Sequence, residues 1–125
     1  MHIAEYVKHA SHGTVSESDT DHARERIDVL RNRKGGRHVG PIMQRMQEVM
    51  MEKVGVYRTQ GEMDAAVEEI QKLRQEFKEV SVQDTGDGFN SEVLQIVELE
   101  NLLDLSLITA TSAANRTESR GAHAR

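Results

Sequence analysis

Apolar residues recur at three- and four-residue spacing along most of this chain, the period of an amphipathic helix. Ile3, Tyr6, Val7 and Ala10 set a short helix that closes near Gly13, and His2 to Lys8 reads as helix interior. Ser11 to Asp21 is polar and loop-like. Ala23, Ile27 and Leu30 then mark a highly charged helix from about Asp19 to Arg33, ended by Gly35 and Gly36. Its apolar stripe is thin, which predicts a peripheral place.

The strongest periodicity begins at Pro41, a residue suited to a first helical turn because its missing N–H costs nothing there. Ile42, Met43, Met46, Val49, Met50 and Val54 line one face until Gly55. Thr59 and Glu62 have capping-box spacing. Behind them Met63, Ala66, Val67, Ile70, Leu73, Phe77 and Val80 form a second stripe. Asp84-Thr85-Gly86-Asp87-Gly88 is turn chemistry. Asn90 is a good N-cap, and Phe89 and Leu94 on either side of it have hydrophobic-staple spacing. The helix that follows runs to about Asn115. Its Leu94, Ile96, Val97, Leu99, Leu102, Leu103, Leu105, Leu107 and Ile108 are apolar on more than one face, which predicts burial on several sides.

These stripes predict an all-α fold: an antiparallel three-helix bundle over about 42–54, 62–80 and 91–114, with an additional N-terminal helical segment. The last helix is the expected centre, and both Ile70 and Leu105 are expected core positions. A length of 125 residues suits one domain with one core. The aromatics are few (Tyr6, Tyr57, Phe77 and Phe89), so that core is aliphatic, and the six methionines fill it rather than forming a cofactor box.

Charge narrows the function classes. The net charge of −5 argues against general nucleic-acid binding. There is no cysteine, hence no thiolate nucleophile, disulfide or iron–sulfur ligand set. No run of about 20 apolar residues exists to insert directly into a membrane, and the N-terminus lacks the apolar core of a secretory signal. The charges are segregated. Arg31, Arg33, Lys34 and Arg37 crowd one connector, whereas Glu79, Asp84, Asp87, Glu92, Glu98, Glu100 and Asp104 fill a stretch with no basic residue before Arg116.

Three groups could carry chemistry. Glu5, His9 and His12 have a spacing compatible with zinc, although solvent-facing histidines are the simpler reading. Arg33-Lys34-Gly35-Gly36-Arg37-His38-Val39-Gly40 leads into a helix N-terminus and could hold an anion, although a solvated glycine-rich connector explains it as well. The third is the tail, Arg116-Thr117-Glu118-Ser119-Arg120-Gly121-Ala122-His123-Ala124-Arg125. It has cations but nothing larger than alanine to bury. No nucleophile–base set and no carboxylate pair stands out, so docking is a better reading of the tail than catalysis.

Glu98-Leu99-Glu100-Asn101-Leu102-Leu103, then Ser112-Ala113-Ala114, then Arg116 to His123 resemble the helical C-terminal domain of the succinate dehydrogenase and fumarate reductase flavoprotein subunits. L-Aspartate oxidases have a similar Glu-Ser-Arg-Gly run and are an alternative branch; a stand-alone helical adaptor that binds a partner protein is another alternative. The resemblance implies a division into residues 1–12 as the end of a preceding FAD-binding domain, 13–40 as a charged helix and connector, and 41–125 as the bundle. It implies a parent subunit that interconverts succinate and fumarate with FAD and passes electrons to an iron–sulfur subunit. Such a subunit is cytoplasmic and is held at the inner membrane through partner subunits. The family's glycine-rich nucleotide turn and dicarboxylate-binding residues lie upstream, so this segment alone is expected to bind no FAD and to be inactive. Arg116, Glu118, Ser119, Arg120, Gly121, His123 and Arg125 are then the docking or active-site-adjacent group. Gly121 supplies the turn, Arg120 is the principal contact to the FAD-binding domain, and the tail is expected to be mobile without that domain.

Overall fold

Each predicted stripe forms a helix. In the computed structural model, which describes residues 3–11, 13–84, 86 and 88–125, the elements are α1 (Ile3–Lys8), α2 (Ser18–Arg31), α3 (Val39–Lys53), α4 (Gln60–Phe77) and α5 (Ser91–Ala114). His12, Thr85, Asp87 and His2, which the sequence reading used, lie outside the described residues.

Local chemistry fixes the helix starts. The Thr59 side chain accepts from the Glu62 N–H while the Glu62 carboxylate accepts from the Thr59 N–H, so the capping box opens α4. Asn90 Oδ1 accepts from the Val93 N–H at 3.2 Å and opens α5. The hydrophobic staple does not form. Phe89 stands at φ +44° and its side chain is fully exposed, so it points away from Leu94. The loop is held instead by the Glu92 carboxylate, which accepts from the N–H groups of Gln83 and Asp84, both at 2.7 Å.

Helices α3, α4 and α5 pack as an antiparallel bundle around an aliphatic core. Ile42, Met46 and Val49 enter it from α3, Ile70 and Leu73 from α4, and Ile96, Leu99 and Leu103 from α5. Helix α4 packs on both others, and its Met63, Ala66, Ile70 and Leu73 are inaccessible to solvent. Helix α5, the expected centre, packs on α2, α3 and α4, although α4 is the more completely covered of the two. Ser106, Ala110 and Ala113 give α5 a narrow inner face for close approach. Its other face is open: Leu94, Leu105 and Ile108 are 58%, 59% and 62% exposed.

The charged helix α2 is peripheral, as predicted. It buries only Leu30 and ties to α5 through Arg26, which pairs with Glu100 and donates to Asn101 at 3.0 Å. The stripe of α1 stays exposed at Ile3, Tyr6 and Val7.

At one end of the bundle the connector after α2 pairs with the segment after α4. Arg37 N–H donates to the Glu79 carbonyl at 2.8 Å, and Ser81 N–H donates back to the Arg37 carbonyl at 3.2 Å. Gly36 makes this approach possible, because a Cβ there would collide with the Glu79 carbonyl oxygen.

Candidate functional site

The opposite end of the bundle gathers the C-termini of α3 and α5, the N-terminus of α4, and the tail. A helix C-terminus leaves carbonyls without intrahelical donors, and two arginines supply them. Arg58 donates to the carbonyls of Val54 at 3.1 Å and Gly55 at 2.8 Å, closing α3. Arg125 donates to the Ala114 carbonyl at 3.0 Å, closing α5. The same guanidinium reaches Gln60 Oε1 and Met63 Sδ on α4. These cations also oppose the negative helix ends.

The tail backbone is anchored alongside. Ala124 N–H donates to the Val56 carbonyl at 3.0 Å, and the Arg58 N–H donates to the Ala124 carbonyl at 2.9 Å. Arg125 N–H donates to Ser119 Oγ at 3.0 Å. The expectation of a tail left mobile in this chain is thus corrected. Its main-chain groups find partners in the 54–58 loop, which had offered no periodic signal in the sequence.

Between those anchors the chain doubles back. Arg120 and His123 exchange both backbone hydrogen bonds, at 3.1 and 3.2 Å, across a turn with Gly121 at φ +61°. The predicted turn at Gly121 is present, and its left-handed backbone favours glycine. Arg116 pairs with Glu118 at 3.1 Å. The Glu118 carboxyl is held below its ordinary range, first by its own backbone N–H and then by the Arg116 hydrogen bond.

The predicted group therefore splits in two. Arg125 and Ser119 serve the fold of this chain. Arg120 and His123 are exposed at the turn, and their side chains have no partner among the described residues. Tyr57, also exposed, lies beside them on the segment that pairs with Ala124. The recess bounded by Arg58, Arg116, Glu118 and His123 holds only about 10 Å³, room for about one water molecule. It brings no nucleophile against a base.

Of the other two candidate groups, the Glu5, His9 and His12 set includes His12, which lies outside the described residues. Among the described residues no set of three His, Cys, Asp or Glu side chains could hold a metal. In the glycine-rich connector, Arg33 lies over the Phe77 ring at 5.8 Å and donates to the Phe77 carbonyl, while Arg37 pairs with Glu76 and Glu79. Arg33 and Arg37 are thus engaged with protein.

A family model described as fumarate reductase flavoprotein C-term matches residues 43–125. The chain belongs to this family. It is 41% identical to the succinate dehydrogenase flavoprotein subunit of Rickettsia bellii over all of its own length and 21% of that protein. It is 40% identical to the fumarate reductase flavoprotein subunit of Haemophilus influenzae over 80% of its length and 17% of that protein. Among solved structures, the FrdA chain of E. coli quinol fumarate reductase superposes with a TM-score of 0.86 at 33% identity, over 95% of this chain and 21% of that one. The Mycobacterium smegmatis Sdh1 complex in the apo form gives 0.83 at 27% identity, over 96% of this chain and 20% of that one. The chain thus spans about a fifth of the length of the relatives it matches, and it is the C-terminal helical domain of this flavoprotein family. These names favour the succinate dehydrogenase and fumarate reductase branch over L-aspartate oxidase.

A flavin dinucleotide needs a strand feeding a glycine-rich turn at a helix N-terminus. The described residues have helices and three isolated main-chain pairings but no strand. No helix among these residues is long and apolar enough to cross a membrane.

Proposed function

We propose that this chain is the docking domain of a flavoprotein subunit that interconverts succinate and fumarate with FAD. Its residues contribute structure rather than chemistry. In this reading residues 1–12 belong to the end of a preceding FAD-binding domain, residues 13–40 are the connector, and residues 41–125 are the bundle. The tail turn lies against the FAD-binding domain. The assembled subunit hands electrons to an iron–sulfur subunit and sits on the cytoplasmic side of the inner membrane through partner subunits.

The observation that carries the proposal is the division of labour in the tail. Arg125 and Arg58 close helices of this chain, whereas Arg120 and His123 sit on a backbone-paired turn, and their side chains have no partner among the described residues. A guanidinium fixed in this way can make a bidentate contact to a carboxylate or carbonyls that lysine cannot copy.

The test uses the longer subunit and this chain together. The purified chain is expected to show no flavin absorbance and no succinate-dependent reduction of a dye. Deleting the segment equivalent to residues 41–125 from the longer subunit is expected to lower its flavin retention and thermal stability. Stoichiometric flavin on this chain, or full flavin retention by the deleted subunit, would overturn the reading.

A further inference from the structure

Phe89 combines two features that the fold of this chain does not require. Its φ of +44° is a left-handed backbone that a bulky L residue adopts only at a cost in free energy. Its ring precedes the N-cap of α5 and could pack on Leu94 in the first turns of that helix. Instead the ring is fully exposed, and Leu94 is left 58% exposed. Backbone strain thus turns an apolar ring out into water, where burial is lost as well. The surrounding loop is ordered by its own hydrogen bonds. The Glu92 carboxylate accepts from the Gln83 and Asp84 N–H groups, Asn90 Nδ2 donates to the Asp84 carbonyl at 2.7 Å, and Asn90 Oδ1 accepts from the Val93 N–H. An apolar side chain held out on an ordered loop has little entropy to lose when a partner covers it.

We propose that Phe89 is a docking anchor, whose ring seats in an apolar pocket with a basic rim on the part of the longer subunit outside this chain. The inference rests on the docking reading above and adds a second contact to it. The 24 residues of α5 set Phe89 roughly 36 Å from the tail turn, so the two contacts lie at opposite ends of the bundle. Length argues for the occupant. This chain covers 21% of the Rickettsia bellii subunit, so the remainder is about four times its size, and a body of that size can meet both ends. Charge argues for the rim. Asp84, Asp87 and Glu92 lie close to Phe89 in the sequence, and no basic residue occurs between Lys78 and Arg116. A ring set among carboxylates is complemented by a pocket bordered by lysine or arginine. The same acidic border disfavours a two-fold contact with the equivalent loop of a second copy, which would bring like charges together.

Hydroxyl-radical footprinting reads the ring directly. Phe89 is expected to be oxidised readily in this chain and protected in the longer subunit purified on its own. Equal oxidation in the two overturns the proposal. So does protection that develops in this chain with rising concentration, which gives the ring to a second copy. Protection that appears only when other subunits are added gives the ring to one of them and overturns it too. Phe89→Asn separates docking from folding, because asparagine tolerates the left-handed backbone and removes the ring. In this chain the variant is expected to keep the helical circular-dichroism spectrum and a melting temperature at least as high. In the longer subunit it should lower the melting temperature. A fall already present in this chain makes Phe89 part of the bundle's own fold and overturns the anchor. Deleting the segment equivalent to residues 41–125 keeps the two readings apart. Where that deletion lowers flavin retention but Phe89 stays oxidised in the intact subunit, the docking reading stands and the anchor alone falls.

Discussion

Arg45 bridges α3 to α4 through Glu69 and Glu76, and this bridge responds to pH in a definite direction. The hydrogen bond from Arg45 holds the Glu69 carboxyl below its ordinary value of 4.5, and the pair with Glu69 and then Glu76 raises Arg45. A carboxyl lowered in the folded state contributes stability that is present above its unfolded value and is lost as pH falls through the folded one. Glu69→Gln is therefore expected to lower the urea midpoint at pH 7. The gap from the parent chain should close as pH drops below 4.5. Both side chains are partly exposed, so the effect at pH 7 is about 1 kcal/mol or less; a gap that widens in acid contradicts the assignment. Core positions separate more sharply. Ile70 is inaccessible, and Ile70→Ala is expected to cost about 2–5 kcal/mol. Leu105→Ala should stay within about 0.5 kcal/mol because that side chain is exposed. The sequence made these two residues look alike. Periodicity identifies a stripe, but whether a neighbour covers it depends on tertiary placement, and α5 carries two stripes where the bundle needs one.

Helix identity was legible and helix pairing was partly so. The capping signals at Thr59 and Asn90 act within a few residues, so they survive any tertiary arrangement and appear where expected. The staple at Phe89 failed because a left-handed backbone at that residue turns the ring outward. The main-chain pairings at the two ends of the bundle had no signature at all, since backbone hydrogen bonds impose no side-chain period. Gly36 shows the consequence. In the sequence it reads as a helix stop, whereas in the structure it lets the connector approach Glu79. Gly36→Ala is therefore expected to do more than stiffen a loop. It should separate residues 36–37 from 79–81, increase amide exchange at Arg37 and Ser81, and destabilise the domain by more than the roughly 1 kcal/mol gained from a more rigid unfolded chain. Gly40→Ala, where a Cβ meets nothing within 4 Å, is the control. Equal exchange in the two variants would remove the close approach from the account.

At the scale of the whole molecule the tail divides what this chain needs from what it offers. Its helix ends are closed by Arg58 and Arg125, and its turn is set by the Gly121 backbone. None of these requires Arg120. Arg120→Lys should therefore leave the melting temperature of this chain unchanged. In the longer subunit the same substitution should lower stability or flavin retention, because a single ammonium cannot reproduce a two-pronged guanidinium contact with the adjoining domain. Comparing the two contexts is the decisive step. A loss already present in the chain alone would mean that Arg120 supports the bundle after all. A subunit that keeps its flavin and its stability but loses turnover would move Arg120 from docking to catalysis. A loss confined to stability or flavin retention in the longer subunit is the result that places the tail turn at a domain interface, and an exposed arginine on an otherwise anchored tail is the arrangement such an interface would use.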